Sequence, residues 1–122
     1  MSLRCVRVYA DSDGESHFDD TDIQLGPVDF APPAPPLNVS DVKEARYGFL
    51  SAPTGWFGDW HPAPQRQVMC LLSGVLEVGV SDGETRRLES GAITLVEDTE
   101  GVGHSSRVVS AEPVVMIFAQ LS

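Results

Sequence analysis

From Arg46 onward no window repeats its apolar residues at the spacing of an amphipathic helix, and turn-forming residues interrupt every short apolar run. That pattern constrains the fold more than any other feature of the chain. Eight segments read as strands: RYGFLSA, GWFGDWH, QRQVMCLL, GVLEVGVS, ETRRLES, AITLVED, HSSRVVS and PVVMIFAQL. Their junctions carry turn chemistry at Ser73-Gly74, Ser81-Asp82-Gly83-Glu84, Ser90-Gly91 and Ala111-Glu112-Pro113. The clearest hairpin is VLEVGVSDGETRRLES, folded about Asp82-Gly83. Many short strands with no helix of any length predict an all-β barrel or sandwich. At 122 residues the chain fits a single domain with one sizeable core.

Alternation within the strands adds a second constraint. In QVMCLL, Gln67, Met69 and Leu71 face one side while Val68, Cys70 and Leu72 face the other, and both sides are apolar. VVMIFA shows the same pattern. An antiparallel strand with one wet face would alternate polar and apolar residues, so these two strands need cover on both sides. One side is the interior of the barrel. The other requires a second layer, the N-terminal arm, or a partner subunit.

Residues 1–45 differ from the rest. LRCVRVYA reads as a short strand. DSDGESHFDDTD follows, six of its twelve residues acidic. An EF-hand loop needs glycine at its sixth position and glutamate at its twelfth. Here Gly14 is fourth after Asp11 and Asp22 is twelfth, so a solvated loop is expected. GPVDFAPPAPPLNVSD then favours extended polyproline geometry. Its overlapping P-x-x-P patterns match an SH3-type ligand, but Phe30 and Leu37 bracket the prolines and suit an arm packed onto the body. The expected layout is one domain over residues 1–122, with strand, acidic loop and proline-rich arm in 1–45 and the barrel in 46–122.

A formal net charge of −10 disfavours nucleic acid and anionic membrane surfaces as partners. No apolar run approaches the roughly 20 residues of a membrane-spanning helix. Two cysteines, Cys5 and Cys70, read as reduced thiols of a cytoplasmic protein. Asn38-Val39-Ser40 matches a glycosylation sequon, read here as a chance match in the absence of a secretion signal.

Gly55, His61, Ala63, Gln67 and Gly74 stand at the spacings of G-x5-H-x-H-x3-E-x6-G, with both glycines and the first histidine in place. Gly91 and Gly101-Val102-Gly103-His104 fit a looser G-x5-P-x-G-x2-H-x3-N, with two extra residues and neither the proline nor the asparagine. This pair of motifs resembles those of small single-domain cupins. The resemblance spans about half the chain. It implies a double-stranded β-helix, or jelly-roll barrel, with an N-terminal strand and proline-rich arm. The phrases DGESHF, FAPPAPPL, DWHPAPQRQ and EDTEGVGH are similar to a subgroup of small bacterial cupins of unknown activity.

Cupins with complete motifs hold iron, manganese, nickel or zinc through three histidines and a glutamate inside the barrel. By that resemblance His61 and His104 are the surviving ligands. Ala63 has no donor, and Gln67 replaces a carboxylate with a neutral amide. Such a set implies at most a weakly held divalent metal, unless Glu97, Asp98 or Glu100 completes it. Parity places His61 and Gln67 on one strand face, with His104 arriving from the strand opposite.

Each residue also has a plainer role. His61 before Pro62 suits a turn, Gln67 a satisfied core amide, and His104 a loop between glycines. His17 suits a local hydrogen bond. Trp56 and Trp60 suit core or interface packing, with ligand stacking second. Arg66 suits a rim salt bridge, or a ligand carboxylate. Cys70 suits the core.

Two function classes stay open. In the first, the barrel pocket binds a small molecule through His61, Gln67, Met69 and His104, with or without a loosely held ion at His61, His104 and Gln67. In the second the protein is an enzyme: a metal-dependent oxygenase or isomerase, or a metal-free epimerase or lyase with His61 or His104 as general base. A homodimer is expected in either case.

Overall fold

The computed structural model describes residues 1–122 and contains strands but no helix. Twelve strands run in order: β1 (Ser2–Ala10), β2 (Ser16–Gln24), β3 (Gly26–Val28), β4 (Leu37–Val39), β5 (Ala45–Ala52), β6 (Phe57–His61), β7 (Gln67–Ser73), β8 (Leu76–Val80), β9 (Thr85–Leu88), β10 (Ile93–Val96), β11 (His104–Val108) and β12 (Val114–Leu121). All eight segments read as strands beyond Arg46 form one. The expected hairpin is β8–β9, closed by the Val80 amide on the Glu84 carbonyl at 3.0 Å, with Gly83 at a φ of 101°.

The strands make a six-stranded sheet, ordered β2-β1-β10-β7-β12-β5, and a four-stranded sheet, ordered β6-β11-β8-β9. Only the β1–β10 pair in the larger sheet is parallel. The sheets face each other across one core. Val8, Phe18, Ala52, Leu71, Val114 and Met116 come from the larger sheet, and Leu76, Val78, Val80, Leu88 and Val108 from the smaller. These are the alternate residues of each strand, and burying them is the main force holding the sheets together. The architecture is the double-sheet jelly roll.

Four expectations need correction. The acidic stretch is a loop only from Asp11 to Glu15, where the Asp11 carboxylate accepts the amides of Asp13 and Glu15 at 2.9 and 3.1 Å. From Ser16 it becomes β2, paired along its whole length with β1. Ser16 and Phe18 turn inward while Asp19, Asp20 and Asp22 stay at the sheet edge, so the carboxylates hide a strand with one buried end. Because β1 and β2 belong to the six-stranded sheet, that sheet begins well before Arg46.

The arm differs too. Phe30 and Leu37 remain 62% and 53% exposed and do not pin it to the body. The segment instead closes on itself through β3 and β4, and its continuation at Ser40, Asp41 and Lys43 overlies the outer face of the large sheet near Cys5, Val68 and Leu95. Cys70 lies half-buried on that outer face rather than in the core. At the free edge of the sheet, Tyr47 and Phe49 of β5 are 75% and 65% exposed.

Candidate functional site

His61 ends β6 and His104 begins β11, and the two are directly opposed in the ladder between these strands. Gly103 makes that approach workable. Its φ is +80°, and a Cβ there would overlap the carbonyl of His61 and the nitrogen of Pro62. The imidazoles lie with ring centroids 4.9 Å apart and planes inclined at 54°.

Each ring is oriented through its Nδ1. His61 Nδ1 is 2.7 Å from the carbonyl oxygen of Asp59. A carbonyl only accepts, so this nitrogen carries the proton, and Nε2 of the neutral ring keeps a lone pair. His104 Nδ1 is 2.6 Å from Oδ2 of Asp98, a carboxylate with no exposed surface. The other oxygen of Asp98 is buried without a hydrogen-bond partner. The Asp98 backbone carbonyl accepts the amide of Ala63 at 2.9 Å, which fixes this loop beneath the end of β6.

Both histidines open onto a cavity of about 370 Å³ between the two sheets. Gln67 and Met69 of β7, Thr94 of β10, Ser106 of β11 and Trp56 also line it. Eleven of its seventeen lining residues are hydrophobic, and none is Lys, Arg, Asp or Glu. The hydroxyl of Thr94 is buried without a partner. Ser106 makes no hydrogen bond to His104, so the pair is not a nucleophile with its base.

The structure therefore brings His61, Gln67, Met69 and His104 to one cavity, by a different route from the parity argument. His61 and Gln67 do not share a strand. Pro62 and Pro64 interrupt it, and the chain crosses from the four-stranded to the six-stranded sheet between them. The two side chains meet because the sheets face each other. Thr94 and Asp98 matter more than sequence reasoning indicated. Thr94 could have been found from alternation in AITLVED, where it shares the face of Val96. Asp98, considered there as an added metal ligand, acts instead on His104. Trp56, read first as packing, lines the cavity.

Other candidates lie elsewhere. Glu97 is on the outer side, hydrogen-bonded to Arg7 and Arg66 at 2.5 and 2.7 Å. Burial alone would raise its pKa, but the two guanidinium groups outweigh burial and hold it below the ordinary value. Arg66 is thus committed to a salt bridge and does not reach the cavity. Glu100 is exposed in a turn. His17 lies outside the cavity, its ring nitrogens 2.7 and 2.8 Å from Asp11 and Asp82.

The donors do not fit a firmly held divalent ion. Two imidazoles and an amide face the cavity, and no cluster of three histidine, cysteine or carboxylate side chains can surround an ion.

The fold is that of cupin domains. The cupin domain of Cnp3 from Schizosaccharomyces pombe superposes with a TM-score of 0.55 at 15% identity, covering 99% of this chain and 83% of that one. A cupin domain from Bordetella pertussis gives 0.51 at 19% identity, covering 82% and 95%. No protein-family model matches the sequence, and no curated protein matches it either. At these identities the likeness concerns the fold alone.

Proposed function

We propose that the protein binds a small, uncharged and mainly apolar molecule in the cavity between its sheets. The lining carries this reading: a mostly hydrophobic wall whose polar residues are Ser51, His61, Gln67, Thr94, His104 and Ser106, with no ammonium or guanidinium to neutralise a carboxylate or phosphate. The Gln67 amide makes no hydrogen bond within the protein and is free to fix a ligand's orientation. Two imidazoles and an amide would hold a divalent metal weakly, so binding is assigned to the cavity and not to an ion.

Ligand-observed NMR with matched neutral and carboxylate fragments tests this. Neutral fragments should bind, chelator should leave binding unchanged, and Met69→Trp, which fills the cavity, should abolish it. Preferential binding of the carboxylates would overturn the reading.

We also propose a cytoplasmic homodimer. The free thiols of Cys5 and Cys70 suit a reducing compartment. The exposed Tyr47 and Phe49, beside the half-buried outer residues Ile117 and Ala119, provide an apolar face for a second copy.

A further inference from the structure

We propose that the cavity is a metal-free proton-transfer site for neutral, enolisable carbonyl compounds, with His104 as its base and Asp98 as the residue that positions that base. The proposal rests on the binding reading above and adds a reaction to it.

Three observations converge. The first is the buried Asp98–His104 pair. A carboxylate removed from water is costly unless it is well paired, and Asp98 has one side-chain hydrogen bond and one unpartnered oxygen. Its hydrogen bond fixes the His104 tautomer with the Nε2 lone pair free. When Nε2 takes up a proton, the carboxylate becomes the counter-charge of the imidazolium.

The second observation is the Thr94 hydroxyl, buried and unpartnered on the wall of the same cavity. With the free amide of Gln67 it can donate hydrogen bonds to an oxygen on which negative charge develops. The third is His61. It is exposed at the cavity mouth while the His104 side chain is only 14% exposed, and the rings lie 4.9 Å apart. His61 is placed to exchange a proton between the inner base and solvent.

The reaction balances without an oxidant or a second substrate. His104 Nε2 takes the proton from the carbon next to a carbonyl. The C–H electron pair forms the C=C bond, and the carbonyl π pair moves onto oxygen, where Thr94 and Gln67 donate. The pairs then return, and the carbon regains a proton from His104. Exchange through His61 makes the returning proton a solvent proton. The absence of cationic residues from the lining selects ketones and aldehydes over keto acids and sugar phosphates.

Cyclohexanone and phenylacetone in D2O are suitable probes. Proton NMR reads loss of the α-proton signal, and saturation transfer reads binding in the same tube. General-base catalysis contributes about 100-fold or more, so the wild-type protein should exchange the α-protons well above buffer. His104→Gln should fall to the buffer rate. Asp98→Asn should retain binding and lose about tenfold or more of the exchange, a split that a purely structural role would not produce. Thr94→Val preserves shape and should slow exchange without loss of folding, which keeps the test valid if the Asp98 variant fails to fold. Binding of a probe with exchange at the buffer rate would overturn the reaction and leave the binding reading standing. Failure of either ketone to bind would overturn both. Exchange that chelator abolishes and a divalent ion restores would replace the proposal with ion chemistry.

Discussion

Replacing Gly103 with alanine is the sharpest test of how the two histidines come together. Two separate costs apply. At φ +80° an L-residue is strained, by about 1–2 kcal/mol. The new Cβ would also overlap the carbonyl group of His61 and the nitrogen of Pro62, all backbone, so neither neighbour can rotate away. Relief requires β6 and β11 to separate at the position where His61 and His104 pair, losing ladder hydrogen bonds at about 1 kcal/mol each. Together the two costs reach roughly 3–5 kcal/mol. Gly83 is the internal control: its φ is +101°, but nothing lies within 4 Å of a Cβ built there. Gly83→Ala should therefore show the conformational cost alone, about 1–2 kcal/mol. Urea denaturation of both variants measures the difference, and thermal melts should separate them by about 10 °C. Gly103→Ala should also lose cavity binding, whereas Gly83→Ala should keep it. Equal destabilisation within about 0.5 kcal/mol would refute the account of the close approach.

The His17 cluster supplies a pH dependence. Hydrogen bonds donated to Asp11 first and Asp82 second raise the His17 pKa above 6.5, so its stabilisation is complete below that value and disappears as pH rises through the folded-state value. Asp11, held down mainly by His17, and Asp82, held down first by the Glu84 amide and then by His17, lie below 3.8, and their contributions disappear as pH falls through the lowered values. The melting-temperature gap between wild type and His17→Asn should be widest between these limits and close in alkali; an unchanged gap about two units above the histidine value would contradict it. Light scattering should give twice the 13.1 kDa chain mass, reduced to one chain by Tyr47→Ser with Phe49→Ser, whereas a monomeric wild type would end the dimer proposal.

The barrel was legible because its short strands are separated by turns built from Gly, Asp and Ser, with no apolar run at helical spacing. Leu71 and Met116 lie where two-sided apolar strands must bury one face. The N-terminal hairpin was hidden because β2 is an edge strand whose outward carboxylates mask the inward Ser16 and Phe18. Motif spacing could name His61, Gln67 and His104 together, but spacing is one-dimensional. It could not show that Pro62 and Pro64 carry the chain from one sheet to the other. Nor could it distinguish a carboxylate facing the cavity from one behind an imidazole, since that depends on where the Asp98 loop closes under Ala63.

The parallel pairing of β1 with β10 has a consequence for the order of events on the ribosome. Val6 and Val8 pair with β2 on one side, but on the other side their ladder partners are Thr94 and Val96, made much later than β1 and β2. The β1–β2 hairpin can close early on its own, but it joins the rest of the six-stranded sheet only through β10, so Val8 and Phe18 cannot take their places in that sheet until β10 has emerged. Until then the hairpin waits with an apolar face uncovered, and the exposed aspartates of β2 disfavour its pairing with another chain.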